Sequence, residues 1–198
     1  MIETHVERRR RLLRDDIGRI AIDMFAERGF DAVTVDDIAE AADISQRTFF
    51  RYFASKDSIV LDFARRVDRR LVEAFDARPA SEGAVDALRN AYVATSHVEP
   101  EHRQRIVQIA RVLALTPKLE AMAHGEDARA SDALIGKVAK RMGVRADDRR
   151  ARVLVTAATA VVRVEFQRWA DVGGKGDPSE LIASAFDVLA DGFTAPKK

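Results

Sequence analysis

Apolar residues recur every three or four positions along most of the chain, which is the spacing of amphipathic helices. The first such segment covers residues 9–28 and ends at Gly29, and a long one begins after Ser55 and runs to Pro79. The apolar positions of these two segments are Leu13, Ile17, Ile20, Ala21, Met24 and Phe25, then Ile59, Leu61, Phe63, Val67, Leu71 and Phe75. The pattern predicts an all-α fold.

Five further helices are predicted after Pro79, bounded by prolines, glycines and capping residues. They cover residues 81–97, 100–116, 117–142, 147–172 and 178–193, and the ending APKK reads as a disordered tail. With two short helices described next, the total is about nine. Because the helix after Ser55 is long enough to link two domains, we predict a boundary within it that divides the chain into residues 1–61 and 62–198.

The stretch 34–56, TVDDIAEAADISQRTFFRYFASK, contains two short helices joined by a tight turn. Thr34 and Ser45 each precede a helix-compatible run, and their hydroxyls can accept hydrogen bonds from backbone N–H groups that have no partner within the helix. Asp37 stands at the third helical position after Thr34, close to a capping box. The pattern indicates a helix-turn-helix, whose second helix can enter the major groove of DNA.

The second helix of this pair has a core side and a polar side. On a 3.6-residue period Phe49 and Phe53 point toward a core. The other side carries Gln46, Arg47, Phe50 and Arg51. Glutamine can bond adenine, arginine can bond guanine, and an aromatic ring or a threonine methyl can touch the methyl group of thymine. Tyr52 and Lys56 can reach phosphates, and Ser55 would cap the next helix.

The segments RRRLLRDDIGRIAIDMFAERGF, VTVDDIAEAADIS and QRTFFRYFASKDSIV resemble the tetracycline-repressor family of bacterial regulators. The resemblance covers roughly residues 9–61. It implies DNA contacts from Thr34, Ser45, Gln46, Arg47, Thr48, Phe50, Tyr52 and Lys56. Two positions depart from the family pattern. Asp43 stands where a glycine is usual, and Asp tolerates the left-handed backbone that the turn needs better than most residues. Phe50 stands where a tyrosine is common, so one possible phosphate bond is lost.

Composition bounds the class of protein. Of 198 residues 47% are hydrophobic and 33% are charged, which is enough for a real core. The chain has no cysteine, so a disulfide framework and thiolate chemistry are excluded. No apolar run reaches the roughly 18 residues that a membrane span needs, and the start lacks a signal core. We therefore expect a cytoplasmic protein that does not engage a membrane.

Charge does not by itself point to nucleic acid. The net charge is +1, and residues 1–60 hold ten Lys and Arg against twelve Asp and Glu. DNA binding therefore requires placement, with the cations of residues 8–11, Arg47, Arg51 and Lys56 on the DNA side and the acids elsewhere or capping helices. Residues 8–11 are either an arm near the minor groove or a solvated helix start. Arg14 reads as ordinary surface charge.

The segment 151–166, ARVLVTAATAVVRVEF, is apolar nearly all round, which predicts a buried helix. Its small residues allow close helix approach, and the last predicted helix adds an apolar stripe: Leu181, Ile182, Ala185, Phe186 and Leu189. In the resembled family the last two helices pair with their copies to form a dimer. Ordinary core within one chain is the alternative explanation of the same pattern.

Regulators of the resembled family usually carry a small-molecule pocket in the C-terminal domain. The candidates here are Tyr92, Arg111, Leu115, Met122, Arg163, Phe166 and Trp169, with Leu113 and Leu119 as further apolar lining. Arg111 and Arg163 lie in otherwise apolar runs, where a buried guanidinium needs either an anionic ligand or an internal acid such as Glu165. The C-terminal sequence, with RVLALTPKLEA and QRWA, resembles regulators such as the mycofactocin-system repressor. This resemblance suggests a fatty acyl or acyl-CoA effector.

Other chemistry has little support in the sequence. HVEPEH at 97–102 lacks the spacing of a zinc helix and reads as a helix start, and GGKG at 173–176 lacks the context of a phosphate loop and reads as a turn. We expect no catalytic residue, metal or cofactor. The sequence predicts a homodimeric, ligand-released repressor of a palindromic operator. The alternative is a helical small-molecule-binding protein or enzyme whose helix-turn-helix no longer functions.

Overall fold

The computed structural model describes residues 4–190, without the side chains of residues 120 and 123–130. In this part of the chain the secondary structure is entirely helical and comprises nine helices. They are α1 His5–Arg28, α2 Val35–Ala41, α3 Gln46–Tyr52, α4 Lys56–Asp76, α5 Ala84–Ser96, α6 Pro100–Leu115, α7 Pro117–Met142, α8 Arg149–Asp171 and α9 Pro178–Ala190. The all-α prediction is confirmed, and the proposed tail beyond residue 190 lies outside the described residues.

Capping residues explain where the first helices begin and end. Thr4 forms a capping box with Glu7, so α1 starts four residues earlier than predicted. Residues 8–11 are therefore exposed positions inside a helix and not an arm for the minor groove. The same helix ends at Gly29, which has a φ of 84°. Further on, Ser81 does not cap a helix, because α5 starts after Gly83.

Two compact units divide the chain. Of the described residues, 4–64 with 108–123 form the first, and 65–107 with 124–190 form the second. Helix α4 begins in the first unit and continues into the second. The boundary that the sequence predicted between residues 61 and 62 remains a prediction.

The core of the first unit lies beneath α1, α2 and α3. Its fully or almost fully buried side chains include Ile17, Phe25, Val33, Ile38, Phe49, Phe53 and Ile59. The rings of Phe49 and Phe53 lie 5.8 Å apart, so α3 is anchored by one side only. Because α3 has just seven residues, this packing and not helix propensity keeps it folded.

The second unit has its own core between α5, α7, α8 and α9. Its members include Phe75 of α4 and, from the other helices, Leu88, Tyr92, Leu134, Val138, Val155, Ile182 and Phe186. A turn of three glycines with positive φ, residues 173, 174 and 176, connects α8 to α9, as the sequence predicted for GGKG. A Cβ on Gly174 would lie 2.8 Å from a methyl carbon of Val107, so only glycine fits there. Among the described residues no helix is long and apolar enough to cross a membrane.

Candidate nucleic-acid interface

The turn between α2 and α3 has the backbone that the sequence predicted. Asp43 has a φ of 52°, the one positive value outside glycine in the described chain. The N–H of Ile44 donates to the carbonyl of Ala39 across the turn at 2.9 Å. A short polar side chain makes this left-handed conformation tolerable without glycine. The turn thus directs the chain from α2 straight into α3.

Side-chain caps fix the start of both helices. The hydroxyl of Thr34 accepts the N–H of Asp37 at 3.1 Å, and the Asp37 carboxylate accepts the N–H of Thr34 at 2.7 Å. These bonds to Thr34 lower the pKa of Asp37. At α3, the hydroxyl of Ser45 accepts the N–H of Thr48 at 3.1 Å. Both predicted caps are confirmed, and the carboxylate of Asp37 is engaged in the cap of α2.

Helix α3 presents its polar side to solvent. Gln46, Arg47 and Arg51 are exposed, and Phe50 keeps 53% of its surface accessible although it is aromatic. Phe50 rests edge-on against Phe49 with ring centroids 5.5 Å apart, so its ring is held outward on a buried partner. The predicted division of α3 into a buried and an exposed polar face is confirmed, and base reading by that face stays a prediction.

The remaining proposed phosphate contacts have mixed surroundings. Thr34 and Ser45 are exposed caps at the two helix starts, and Tyr52 is half-buried with the guanidinium of Arg51 5.2 Å from its ring centre. Along α1, Arg19 pairs with Asp16 at 3.4 Å and with Asp23 at 3.9 Å. Two of the acids on α1 are therefore partly neutralised by an arginine of the same helix.

Lys56 does not have the free ammonium that phosphate binding needs. Its Nζ donates to the carbonyls of Phe30 at 2.7 Å, Val33 at 2.8 Å and Asp31 at 3.4 Å. The ammonium also lies 4.4 Å from the centre of the Phe30 ring. A lysine has three N–H donors, so all are used. The structure corrects the predicted role, because Lys56 holds the loop between α1 and α2.

Arg14 is likewise not simple surface charge. Its guanidinium contacts the Tyr52 carbonyl at the end of α3, the Asp62 carboxylate of α4 and the Phe53 ring. Sequence reasoning missed this residue because its partners are 38 to 48 positions away along the chain. A single arginine on the mainly apolar side of a helix was the one available signal.

Comparison with known proteins identifies the class of regulator. Residues 19–63 match the family described as bacterial regulatory proteins, tetR family. Residues 82–194, more than half of the chain, match the MftR C-terminal domain. The chain belongs to the tetR family of bacterial regulatory proteins. It is a DNA-binding transcriptional regulator, and the predicted resemblance is confirmed for both parts of the chain.

Named relatives of the tetR family agree over most of the chain. The regulator TcmR of Streptomyces glaucescens is 32% identical, covering 82% of this chain and 75% of its own length. The putative mycofactocin biosynthesis transcriptional regulator MftR of Mycobacterium tuberculosis is also 32% identical, covering 96% of both chains. These are transcriptional regulators and not enzymes, so the enzyme alternative is set aside.

Solved structures of tetR-family proteins share the fold. FadR of Thermus thermophilus, crystallised with lauroyl-CoA, has a TM-score of 0.61 at 22% identity and covers 93% of this chain and 97% of its own. A putative tetR-family regulator from Syntrophomonas wolfei has a TM-score of 0.67 at 15% identity, over 94% and 99% of the two chains. At these identities the likeness concerns the fold.

The proposed ligand residues are divided between the two units. Arg111, Leu115 and Met122 belong to the first unit and are exposed, Leu115 by 82%. Arg163, in the second unit, is exposed as well. The expectation of two buried guanidinium groups is therefore wrong, because both arginines lie on solvent-facing sides of their helices.

The other three candidates lie in the interior of the second unit or at its margin. Tyr92 is buried, and its hydroxyl is 2.8 Å from that of Thr159. Trp169 is fully buried, and its indole N–H donates to the carbonyl of Gly176 at 3.2 Å. Half-buried Phe166 lies 5.2 Å from Trp169 between ring centres. Their polar groups are satisfied internally, so a ligand role for these residues remains a prediction.

Proposed function

We propose that the protein is a homodimeric repressor that binds a palindromic operator and is released from it by a small acyl ligand. The observation that carries the proposal is the outward, polar face of α3, held on a buried aromatic base. In this proposal Gln46, Arg47, Thr48 and Phe50 read bases in the major groove. Thr34, Ser45 and Tyr52 hold phosphates at its margins.

An exposed apolar stripe on α8 supports the homodimer. Val153 is 58% exposed and Val164 is 61% exposed, and small residues occupy the positions between them on the same face. The helix predicted to be buried all round is thus open on one side in the single chain. Intrachain core accounts for Ala158 and Val155, which are fully buried, but not for this stripe.

Helix α9 also carries exposed apolar side chains. Leu181 and Val188 are exposed, whereas Ile182 and Phe186 face the core. An open groove of about 380 Å³ is lined by Arg149, Arg150, Val153, Leu154, Ala157 and Leu189. Paired α8 and α9 helices from a second copy would cover these apolar groups, and a twofold dimer matches a palindromic site with half-sites about 34 Å apart.

The effector class is proposed from relatives. Two structures of similar fold suggest it: FadR of Thermus thermophilus, a transcriptional repressor in complex with lauroyl-CoA, and FadR of Bacillus halodurans, a fatty acid degradation regulator. A ligand could bind more tightly to a dimer conformation in which the two α3 helices are wrongly spaced for the operator. It would then raise the population of that conformation and release DNA. Such a regulator would work in the cytoplasm, where operator DNA is found.

Selection of bound duplexes from a random DNA pool tests the operator. We expect the protein to enrich one palindrome, and enrichment of no sequence would contradict the proposal. Lauroyl-CoA is then titrated against the complex with that palindrome, beside coenzyme A without an acyl chain as the control. Release by lauroyl-CoA alone supports the acyl effector, whereas no release, or equal release by both, contradicts it.

A further inference from the structure

Arg14 joins three parts of the DNA-binding unit through one side chain. Its Nη1 donates to the carbonyl oxygen of Tyr52 at 2.5 Å. Its Nε and Nη2 meet the two carboxylate oxygens of Asp62 at 3.2 Å and 2.8 Å. The Cζ of the guanidinium lies over the buried Phe53 ring, 4.5 Å from its centre. The side chains of Arg14 and Asp62 are 35% and 21% exposed, so both are partly withdrawn from water.

The Tyr52 carbonyl is a group that the short helix α3 cannot satisfy by itself. The last carbonyls of an α-helix have no N–H partner within the helix, and they carry its negative dipole end. The chain leaves the helical conformation at Phe53, which has a φ of −135°. A guanidinium at this point therefore provides both the missing donor and a favourable charge. It also fixes where the end of α3 lies relative to α1.

Asp62 fixes the direction of that guanidinium. Bidentate pairing with a carboxylate orients the planar group, leaving its third edge for the Tyr52 carbonyl. Asp62 lies on α4, in the part of that helix that belongs to the first unit. The end of α3 is thus tied to α1 and α4 at once.

We propose that Arg14 is a positioning residue for sequence reading: through Tyr52 and Asp62 it sets the orientation of α3 in the major groove. Arg14 itself contacts no DNA in this scheme. Arg19 on the same helix allows a matched comparison, because the ion pairs seen for it in the described chain are with Asp16 and Asp23 of α1 itself. A lysine at position 14 keeps the charge, but a single ammonium cannot bond both partners and stack on Phe53.

The test compares Arg14→Lys, Asp62→Asn and the control Arg19→Lys with the parent. Binding to the palindrome selected by the parent and to an unrelated duplex of equal length is measured over a series of salt concentrations. Circular dichroism and the fluorescence of Trp169, the single tryptophan, establish a temperature at which every variant is folded. If the parent selects no palindrome, the proposed function fails independently of Arg14.

For Arg14→Lys we expect a loss of about tenfold in affinity for the palindrome, comparable to one lost base contact. Affinity for the unrelated duplex and the salt dependence should stay at parent values, because no phosphate contact is removed. Asp62→Asn should lose affinity in the same direction but less, and the double variant should be no worse than Arg14→Lys, since the two residues act as one unit.

Three results would overturn the proposal. A salt slope reduced by about one would make Arg14 a direct phosphate contact. Equal losses on both duplexes would show that sequence reading is not involved. Parent-like discrimination by folded Arg14→Lys or folded Asp62→Asn would show that the link does not position α3.

Discussion

Arg47 and Lys56 are cations nine positions apart with opposite surroundings. Arg47 is exposed on the first turn of α3, and no hydrogen bond or ion pair of its guanidinium is seen in the described chain. The ammonium of Lys56 is enclosed by three backbone carbonyls and an aromatic ring. The same charge can therefore serve recognition in one residue and folding in the other.

Replacing Arg47 with Ala should relax discrimination at one base position of each half-site. The expected cost is about 1–3 kcal/mol against the preferred base, since a bidentate contact to guanine is removed. Affinities for a set of operators with single base changes measure the effect. Arg69→Ala, at an exposed position of α4 outside the reading helix, is the control and should leave the pattern unchanged. Parent-like preferences in Arg47→Ala would remove this residue from the reading face.

Replacing Lys56 with Met should lower stability and not the salt dependence of DNA binding. The variant keeps an apolar stem but leaves the carbonyls of Phe30 and Val33 without their donor, which costs about 1–3 kcal/mol. Urea denaturation measures the free energy of unfolding, with Lys140→Met at an exposed position as the control. A reduced salt slope with unchanged stability would restore the phosphate role that the sequence suggested.

Single residues also show which features can be predicted from sequence. The left-handed Asp43 was predictable, because the resembled family usually has a glycine at this position of the turn and Asp tolerates the same conformation better than most residues. The roles of Arg14 and Lys56 were not, because their partners lie 23 to 48 positions away in the chain. A charged side chain beside apolar neighbours does not reveal whether its partner is DNA, water or a distant carbonyl.

At the scale of elements, helix boundaries followed local chemistry. Prolines at the first positions of α6, α7 and α9 marked those starts correctly, as did Thr34 and Ser45 for α2 and α3. The helix start predicted at Ser81 was wrong, because Gly83 takes the N-cap position of α5. Exposure of the α8 stripe was missed for a different reason: periodicity reports which side is apolar and not what covers it.

One pair of elements is joined by a titratable group. His97 caps the end of α5, and its Nδ1 is hydrogen-bonded to Asp177, which stands before α9 and also accepts the N–H of Ser179 at 3.0 Å. Its Nε2 lies 3.3 Å from Glu99. The hydrogen bond and charge of Asp177 raise the pKa of His97, so the imidazolium is favoured in the folded chain.

The raised pKa of His97 determines the direction in which the stability of the folded chain changes with pH. The contribution of His97 to stability is complete below its ordinary pKa of about 6.5 and is lost as pH rises through the raised value. We therefore expect the melting temperature to fall as the pH is raised from about 6 to about 8–9, a range that includes the ordinary pKa of about 6.5. The fall should be larger in the parent than in His97→Gln. His102→Gln is the control, since no ion pair of His102 is seen in the described chain. Identical pH profiles of parent and His97→Gln would show that the contact between His97 and Asp177 does not contribute to the pH dependence of stability.

At the scale of the whole molecule, the modest net charge of +1 is compatible with DNA binding because charges are sorted by position. Asp37 is engaged in the cap of α2 and Asp16 pairs with Arg19 on α1, while the charged residues of α3 itself are all cations. A single copy of such a surface binds weakly. Two linked copies gain affinity by effective concentration, so dimerisation decides whether an operator is held.

A substitution in the exposed apolar stripe of α8 tests whether operator binding depends on dimerisation. Val164→Glu places a carboxylate in the proposed twofold interface, and leaving buried charges unpaired costs about 3–5 kcal/mol. We expect sedimentation to show dimers for the parent and monomers for the variant at micromolar concentration. Operator affinity should fall by about 10²–10⁴, since the avidity of two linked DNA-binding units is lost.

The control Val85→Glu replaces an equally apolar and exposed residue at the start of α5, outside the stripe, and should remain dimeric. A dimeric Val164→Glu that binds the operator like the parent would place the interface elsewhere, whereas a monomeric parent with full operator affinity would remove the dimer from the mechanism.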